Sequence, residues 1–151
     1  MIGERPHVAI LGAGPAGLDA ALEAAARGWG FTLYEAADEP AGGVRSWGHV
    51  SLFSPWSIDA STRMRSALGN GRDGHAVPDT DVCPTGRELA ETLLDRVAAL
   101  PRVEPHLRLG TRVVAVGREG LVKNEEISTP ERARRPFRLL VVGPDGRERI
   151  E

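Results

Sequence analysis

The chain has 151 residues, of which 41% are hydrophobic and 26% charged, and its formal net charge is −2. This length and composition predict one soluble globular domain with a buried core. Because there is no basic excess, the charge does not favour binding to nucleic acid or to an anionic membrane surface. The single cysteine, Cys83, excludes an internal disulfide, a C-x-x-C redox pair and a cysteine-rich zinc site.

The apolar stretch at residues 8–26 has the length of a targeting segment but not its character. It is interrupted by three glycines and a proline, it carries Asp19 and Glu23, and no basic run precedes it. We therefore expect neither a signal sequence nor a membrane span. Together with the low cysteine content, this predicts a cytoplasmic protein.

The first elements in chain order predict a strand, a glycine turn, a helix and a second strand. Residues 7–11 form a continuous apolar run, which is typical of a strand buried on both faces. Residues 15–27 are rich in alanine and predict a helix, with Pro15 in its first turn and Gly28 at its end. Residues 31–35 predict the second strand.

The middle of the chain predicts mostly irregular structure. Residues 36–56 are rich in Gly, Pro, Ser and Trp, and residues 69–84 contain several Gly-containing turn signals. Between them, residues 57–68 predict a short helix with Ser57 or Asp59 as its cap.

The second half predicts one longer helix followed by strands. Thr85 and Glu88 have the spacing of a capping box, which opens a helix that ends near Leu100 because a proline follows. The remaining segments are a third strand at residues 107–116, a solvated loop at 117–136, and a hairpin of residues 137–142 and 147–150 around a Pro-Asp-Gly turn.

A G-x-G-x-x-G motif lies between the first strand and the first helix, and Glu35 ends the second strand. In this context Gly12 permits the tight turn, Gly14 lets the backbone approach a diphosphate, and Gly17 lets the helix pack closely on the sheet. The free N–H groups at the helix start attract phosphates. The residues predicted to hold the ADP half of a dinucleotide are Gly12, Ala13, Gly14, Pro15, Ala16, Gly17, Glu35 and Ala36.

Two acidic side chains qualify this prediction. The Glu35 carboxylate can accept hydrogen bonds from both ribose hydroxyls, and it would repel a 2′-phosphate, which argues against NADP at this site. Asp19 lies early in the same helix and would repel a bound diphosphate if it faced the ligand. We therefore expect Asp19 to point elsewhere.

Residues 7–35, followed by Pro40-Ala-Gly42-Gly43-Val-Arg-Ser-Trp47 and Gly-His-Val-Ser-Leu-Phe-Ser-Pro-Trp56, resemble the N-terminal part of FAD-dependent oxidoreductases with two dinucleotide-binding domains. Within that class the segments are most similar to flavin monooxygenase-like proteins. The resemblance implies an α/β, Rossmann-like FAD/NAD(P)-binding fold, with a parallel sheet and a β-hairpin or meander at its C-terminal end. It also implies FAD as cofactor and NAD(P)H as a co-substrate.

The resemblance further implies cofactor contacts in the chain after Glu35. A glycine pair followed by an aromatic is a recurrent feature there, and it assigns Gly43, Val44, Arg45 and Trp47 to the cofactor. Arg45 could bind a phosphate through its two-pronged guanidinium or lie at the surface. Residues 110–113 resemble the strand whose backbone meets the adenine, which assigns Val113 through its main chain.

Three aromatic rings near the glycine pair admit two readings. Trp47, His49 and Trp56 could stack on or shield a flavin, or they could cover a glycine-rich loop that lacks a core of its own. No residue is nominated as a general acid or base, because a flavin itself carries the chemistry. Cys83 has no neighbouring base, and His7, His75 and His106 lack metal-ligand spacing, so we predict no metal site.

The chain also departs from the family pattern. The Ala-Thr-Gly segment that completes the FAD sheet and the second glycine motif that binds NAD(P)H are both missing. We therefore expect residues 1–151 to be the N-terminal part of an FAD-binding domain, without the closing strand and the NAD(P)H-binding domain. A missing C-terminal half or an oligomer is expected to complete it, and the substrate stays unidentified.

Two other functions stay open. An NAD(H)-dependent dehydrogenase or reductase would share the same strand–helix–strand unit. A non-catalytic dinucleotide-binding module, folding with a partner or as an oligomer, is favoured by the first strand, which lacks a neighbour on one side.

Overall fold

The computed structural model describes residues 6–69 and 76–151, so the turn signals at residues 70–75, including His75, lie outside the described residues. The elements in chain order are β1 (His7–Leu11), α1 (Pro15–Ala26), β2 (Gly30–Tyr34), α2 (Gly42–Arg45), α3 (Trp56–Asp59), α4 (Thr62–Ala67), α5 (Gly86–Leu89), a π-helical segment (Ala90–Leu94), α6 (Asp95–Ala98), a 3₁₀ turn (Glu104–His106), β3 (Leu107–Arg108), β4 (Arg112–Arg118), α7 (Pro130–Arg134), β5 (Phe137–Val142) and β6 (Glu148–Ile150).

The strands form two sheets. The first is parallel, with strand order β1-β2-β3 and Ile10 beside Leu33. The second is an antiparallel meander, β4-β5-β6. This confirms the predicted α/β architecture, in which a parallel sheet precedes a C-terminal meander.

Each face of the parallel sheet packs against a different layer, because successive side chains of a strand point to opposite sides. Ile10 and Leu33 belong to the main core, which includes Leu18 of α1, Leu93 of the π-helical segment and Val97 of α6. On the other face, Tyr34 packs with Leu139 and Val141 of β5, and Ala9 and Val113 lie against them.

The predicted helix at residues 57–68 is two short helices, α3 and α4. Ser61 caps the second, and its hydroxyl accepts a hydrogen bond from the Met64 amide at 3.1 Å. The helix predicted from the capping box is present, and the box is formed by Thr85 and Glu88. However, this helix contains a π-helical segment for which the sequence offered no signal.

Three predicted segments needed correction. The strand predicted at residues 107–116 is split by Gly110, whose φ of 60° turns the chain from the parallel sheet into the meander. The loop predicted at 117–136 contains α7, a helix of five residues capped by Thr129. Likewise, the loop predicted at 36–56 contains the four-residue helix α2. Within the described ranges, no helix has the length and apolar character that crossing a bilayer would require.

Candidate functional site

The glycine turn joins β1 to α1, and its conformation depends on two of its glycines. Gly12 has a φ of 93°, a value that residues other than glycine rarely adopt, and its amide donates to the Tyr34 carbonyl at 2.7 Å. A Cβ on Gly17 would lie 1.8 Å from the Gly12 carbonyl oxygen, far inside contact distance. The first helical turn therefore packs directly on the end of β1, as the motif predicts.

The start of α1 presents unused backbone donors. Gly14 is the N-cap and Pro15 the first helical residue. Within the described part of the chain, the amides of Gly14, Ala16 and Gly17 donate no hydrogen bond. A Cβ added to Gly14 would meet no atom within 4 Å, so the space above this backbone is open. A helix of 12 residues with free N-terminal amides suits an anionic ligand.

Glu35 directly follows β2 and is a buried carboxylate beside the glycine turn. It is 8% exposed, and its two oxygens accept from the Ala13 amide at 2.8 Å and the Ala37 amide at 3.0 Å. Each carboxylate oxygen retains a lone pair, so both can still accept from ribose hydroxyls. The two amides thus fix the orientation of the carboxylate without exhausting its capacity to accept hydrogen bonds.

Asp19 lies on the same helix but is engaged elsewhere. It accepts a hydrogen bond from the Ser61 hydroxyl at 2.5 Å and forms an ion pair with Arg63. Both partners belong to the start of the α4 region. The negative charge of Asp19 is therefore neutralised away from the glycine turn, as expected.

The turn that leads into α2 lies directly against the glycine turn. The Ala41 amide donates to the Ala13 carbonyl at 3.0 Å, and a Cβ on Gly42 would lie 2.3 Å from that of Ala37 and 3.5 Å from a Glu35 oxygen. Gly43 is exposed, and a Cβ there would meet nothing within 4 Å. The backbone of α2 therefore passes close to the buried carboxylate and leaves open space beside it.

Ala41 itself is in a left-handed conformation, with a φ of 57°. For a residue with a Cβ this conformation costs about 1–2 kcal/mol. It persists only where the surrounding structure fixes it. Sequence reasoning missed this residue, because nothing distinguishes Ala41 from an ordinary loop alanine.

Among the other residues assigned to the cofactor, Arg45 is strongly engaged within the protein. Its Nη2 donates to both oxygens of Asp95 at 2.6 Å, and its Nε donates to the Pro40 carbonyl at 3.0 Å and lies 3.2 Å from Glu39. The hydrogen bond to Asp95 raises the pKa of Arg45 above its usual value. A phosphate at this guanidinium would have to compete with a carboxylate already in place.

The remaining predicted residues divide between surface and core. Trp47 is 38% exposed, and its ring covers Gly86, where an added Cβ would lie 2.7 Å from the indole. His49 and Ala36 are exposed, whereas Val44 and Trp56 are buried in the main core. For Trp56 the structure therefore favours the covering role over a flavin contact.

The chain two residues before Val113 is hydrogen-bonded to Glu35. The Thr111 amide donates to the Glu35 carbonyl at 2.8 Å, and Val113 follows in β4, where it pairs with Val141. The ladder shifts register between Val113 and Ala115, which gives β4 a bulge beside Val113.

A metal or thiol site finds no support in the geometry. Among the described residues, no three His, Cys, Asp or Glu side chains are arranged to hold a metal ion. Cys83 is an exposed free thiol. Within residues 6–69 and 76–151, the constellation with clear binding character is the glycine turn with Glu35 and α2.

No protein-family model matches the chain. Over 65 residues it is 42% identical to the tRNA 5-methylaminomethyl-2-thiouridine biosynthesis bifunctional protein MnmC of Ralstonia nicotianae, a match that covers 42% of this chain and 10% of that protein. That fraction is small, so the match bears on a shared segment.

Solved flavoprotein structures share the fold. The chain resembles bacillithiol disulfide reductase Bdr from Bacillus cereus (TM-score 0.61, 18% identity), covering 97% of this chain and 37% of that one. It also resembles an oxidized steroid monooxygenase bound to NADP (TM-score 0.60, 24% identity), covering 95% of this chain and 24% of that one. A third similar structure is OTEMO in complex with FAD and NADP (TM-score 0.57, 18% identity), covering 97% of this chain and 24% of that one. The fold is thus the Rossmann-type α/β fold of such flavoproteins, and the chain spans 24% to 37% of their length.

Proposed function

We propose that this chain binds FAD and is the FAD-binding part of an oxidoreductase related to the flavin monooxygenases. The observation that carries the proposal is the pairing of free amides at Gly14, Ala16 and Gly17 with the buried Glu35 carboxylate. Donors that suit a diphosphate lie beside an acceptor that suits a ribose, which is the arrangement that the ADP half of a dinucleotide requires.

The residues present fit this cofactor in a second respect. At Gly14 and Gly43 the backbone borders space that a Cβ would enter without meeting another atom. The diphosphate would lie over Gly14 and the helix start, the adenosine ribose on Glu35, and the flavin side beyond Gly43. The Val113 backbone is proposed to meet the adenine, with Ala36 and Trp47 at the edges of the site.

The comparisons support FAD indirectly. The OTEMO structure contains FAD and NADP, and the steroid monooxygenase structure contains NADP. FAD would supply the redox chemistry, whereas this chain would contribute binding and orientation. NAD(P)H is proposed as the co-substrate, bound outside the residues described.

A binding titration tests the proposal. FAD is added to the purified protein, and the visible flavin spectrum and flavin fluorescence are followed for the wild type, Glu35→Gln and a control, Glu148→Gln, which changes an exposed glutamate of β6. We expect Glu35→Gln to weaken FAD binding by about 10–100-fold, because charged hydrogen bonds are worth roughly 1.5–3 kcal/mol. The control should bind as the wild type does.

The same titration with NADH separates the first alternative. Enhanced NADH fluorescence without any FAD binding would replace the proposal by an NAD(H)-dependent dehydrogenase or reductase. Failure of both nucleotides to bind would reject the dinucleotide site altogether.

One observation favours a second candidate, a dinucleotide-binding module that associates with further polypeptide. Among the described residues, β1 pairs only with β2, and a cavity of about 800 Å³ between the two sheets is lined by Leu11, Val116 and Phe137, all at least half exposed. An unpaired strand edge beside apolar surface invites strand addition. Light scattering across a concentration series tests this candidate, and a monomer at every concentration would contradict self-association.

A further inference from the structure

The conformation of the turn before α2 depends on bonds at both of its ends. Ala41 is left-handed and buried, and its amide is tied to the Ala13 carbonyl in the glycine turn. On its other side, the Pro40 carbonyl accepts the Nε–H of Arg45. Because an alanine leaves this conformation readily when released, these two bonds determine where the open backbone of Gly43 lies.

Arg45 is itself held by Asp95, fifty residues later in the chain. The Arg45 side chain is 21% exposed, and its Nη2 reaches both Asp95 oxygens. Charge-assisted hydrogen bonds of this kind are roughly twice as strong as neutral ones. The guanidinium therefore links helix α6 to the carbonyl that precedes the strained residue.

The π-helical segment Ala90–Leu94 determines where Asp95 points. It ends immediately before Asp95, which is the first residue of α6. A π-helical turn holds one residue more than an α-helical turn, so everything after it is rotated by about 100° around the helix axis. An uninterrupted α-helix from residue 86 would therefore direct Asp95 away from its present position.

We propose that Arg45 and Asp95 act as a positioning pair, which keeps the Ala41–Gly43 turn open for the half of the cofactor beyond the diphosphate. The inference rests on the proposed function, and it gives Arg45 an indirect role in place of a phosphate contact. The pair acts through the Pro40 carbonyl on Ala41, and through Ala41 on the open backbone of Gly43. The adenosine side, held by Glu35 and the glycine turn, does not depend on it.

The test compares two ligands that share the adenosine diphosphate half. Dissociation constants for FAD and for ADP are measured for the wild type, Asp95→Asn, Arg45→Lys and the double variant. The matched control is Asp145→Asn, which breaks the Arg149–Asp145 pair in the hairpin. We expect Asp95→Asn and Arg45→Lys each to weaken FAD binding about tenfold and ADP binding less than about twofold. The double variant should bind FAD no more weakly than the single variant with the lower affinity, because both substitutions break the same pair.

Two outcomes of that titration would overturn the inference. If Arg45 contacts the diphosphate, Arg45→Lys weakens ADP and FAD alike, whereas Asp95→Asn, which frees the guanidinium, weakens neither. If the pair only supports the fold, FAD and ADP lose affinity together and in step with the thermal midpoint. The control should leave both affinities unchanged.

A readout without any ligand separates failure of this inference from failure of the proposed function. Amide hydrogen exchange is measured on the free protein for residues 41–46 and for α1. We expect Asp95→Asn to accelerate exchange in residues 41–46 about tenfold and to leave α1 unchanged. If the wild type binds neither ligand, the proposed function falls. Unchanged exchange in residues 41–46 would remove the pair's positioning role in either case.

Discussion

The parallel sheet β1–β3 and the antiparallel sheet β4–β6 differ in how much apolar surface covers them. The parallel sheet is covered on one face by the main core, in which Leu18, Leu93 and Val97 are fully buried. In the antiparallel sheet, Leu139 and Val141 are the buried members of a small cluster shared with Tyr34, and Val113 lies against them. Stability should therefore be concentrated in the first sheet and its helices, since apolar burial is the main favourable term in folding.

Because of this difference, the two parts of the proposed site rest on apolar cores of different size. The glycine turn joins β1 to α1, Glu35 follows β2, and these three elements pack into the main core. Val113, which is proposed to meet the adenine, belongs to the sheet with less apolar cover. In the same strand, β4, the side chain of Val116 lines the cavity between the sheets and is about half exposed. We expect the diphosphate and ribose contacts to be rigid in the free protein and the adenine contact to be more mobile.

The largest effect is expected from the packing of α1 on β1. Gly17→Ala places a Cβ 1.8 Å from the Gly12 carbonyl oxygen, whereas Gly14→Ala places one in open space. Since backbone must move in the first case, we expect Gly17→Ala to destabilise the protein by about 3 kcal/mol or more.

Gly14→Ala is the matched control, and it should change the free energy of unfolding by less than about 1 kcal/mol while weakening FAD binding. Denaturant unfolding measures both variants. Equal stabilities would contradict the observed close approach of α1 to the end of β1.

The next effect compares the two sheets directly. Leu93→Ala empties a fully buried position of the main core, and Val141→Ala does so in the small cluster. We expect losses of about 3–4 kcal/mol and about 2 kcal/mol respectively. The contrast would be sharpened by hydrogen exchange, in which Val141→Ala should speed exchange in β4 and β5 but not in β1 or β2. If both sheets respond together, the molecule unfolds as one cooperative unit.

How far the sequence could predict these features depends on how local their causes are. The glycine turn, the Thr85–Glu88 capping box and the Pro-Asp-Gly hairpin each depend on residues a few positions apart, and all three were predicted. Gly110 was visible as a glycine, but its role in sending the chain to a second sheet depends on the pairing of β3 with β2.

The features that sequence reasoning missed depend on distant contacts. The left-handed Ala41 is fixed by Ala13 and by Arg45, whose own partner lies on α6. The π-helical segment has no local signature in Ala-Glu-Thr-Leu-Leu. A charged side chain such as Arg45 can reach many partners, so no pattern of spacing predicts that Asp95 is the one it finds.

The smallest effect is expected at the contact between the sheets, where Tyr34 of β2 donates its hydroxyl to Glu151 at 2.6 Å. Burial, and then this hydrogen bond, raise the pKa of Tyr34 to about 12. The folded pKa of Tyr34 lies above the unfolded value of about 10. The contact's contribution to stability is therefore complete below about pH 10 and is lost as the pH rises from there to about 12.

Tyr34 is the only tyrosine of the chain, so the ultraviolet absorbance of tyrosinate reports on it alone. We expect Glu151→Gln to lower the pH midpoint of the Tyr34 titration by less than about one pH unit. A midpoint near pH 10 in protein that circular dichroism shows to be folded would mean that the hydroxyl is solvated and that the contact between the sheets is open.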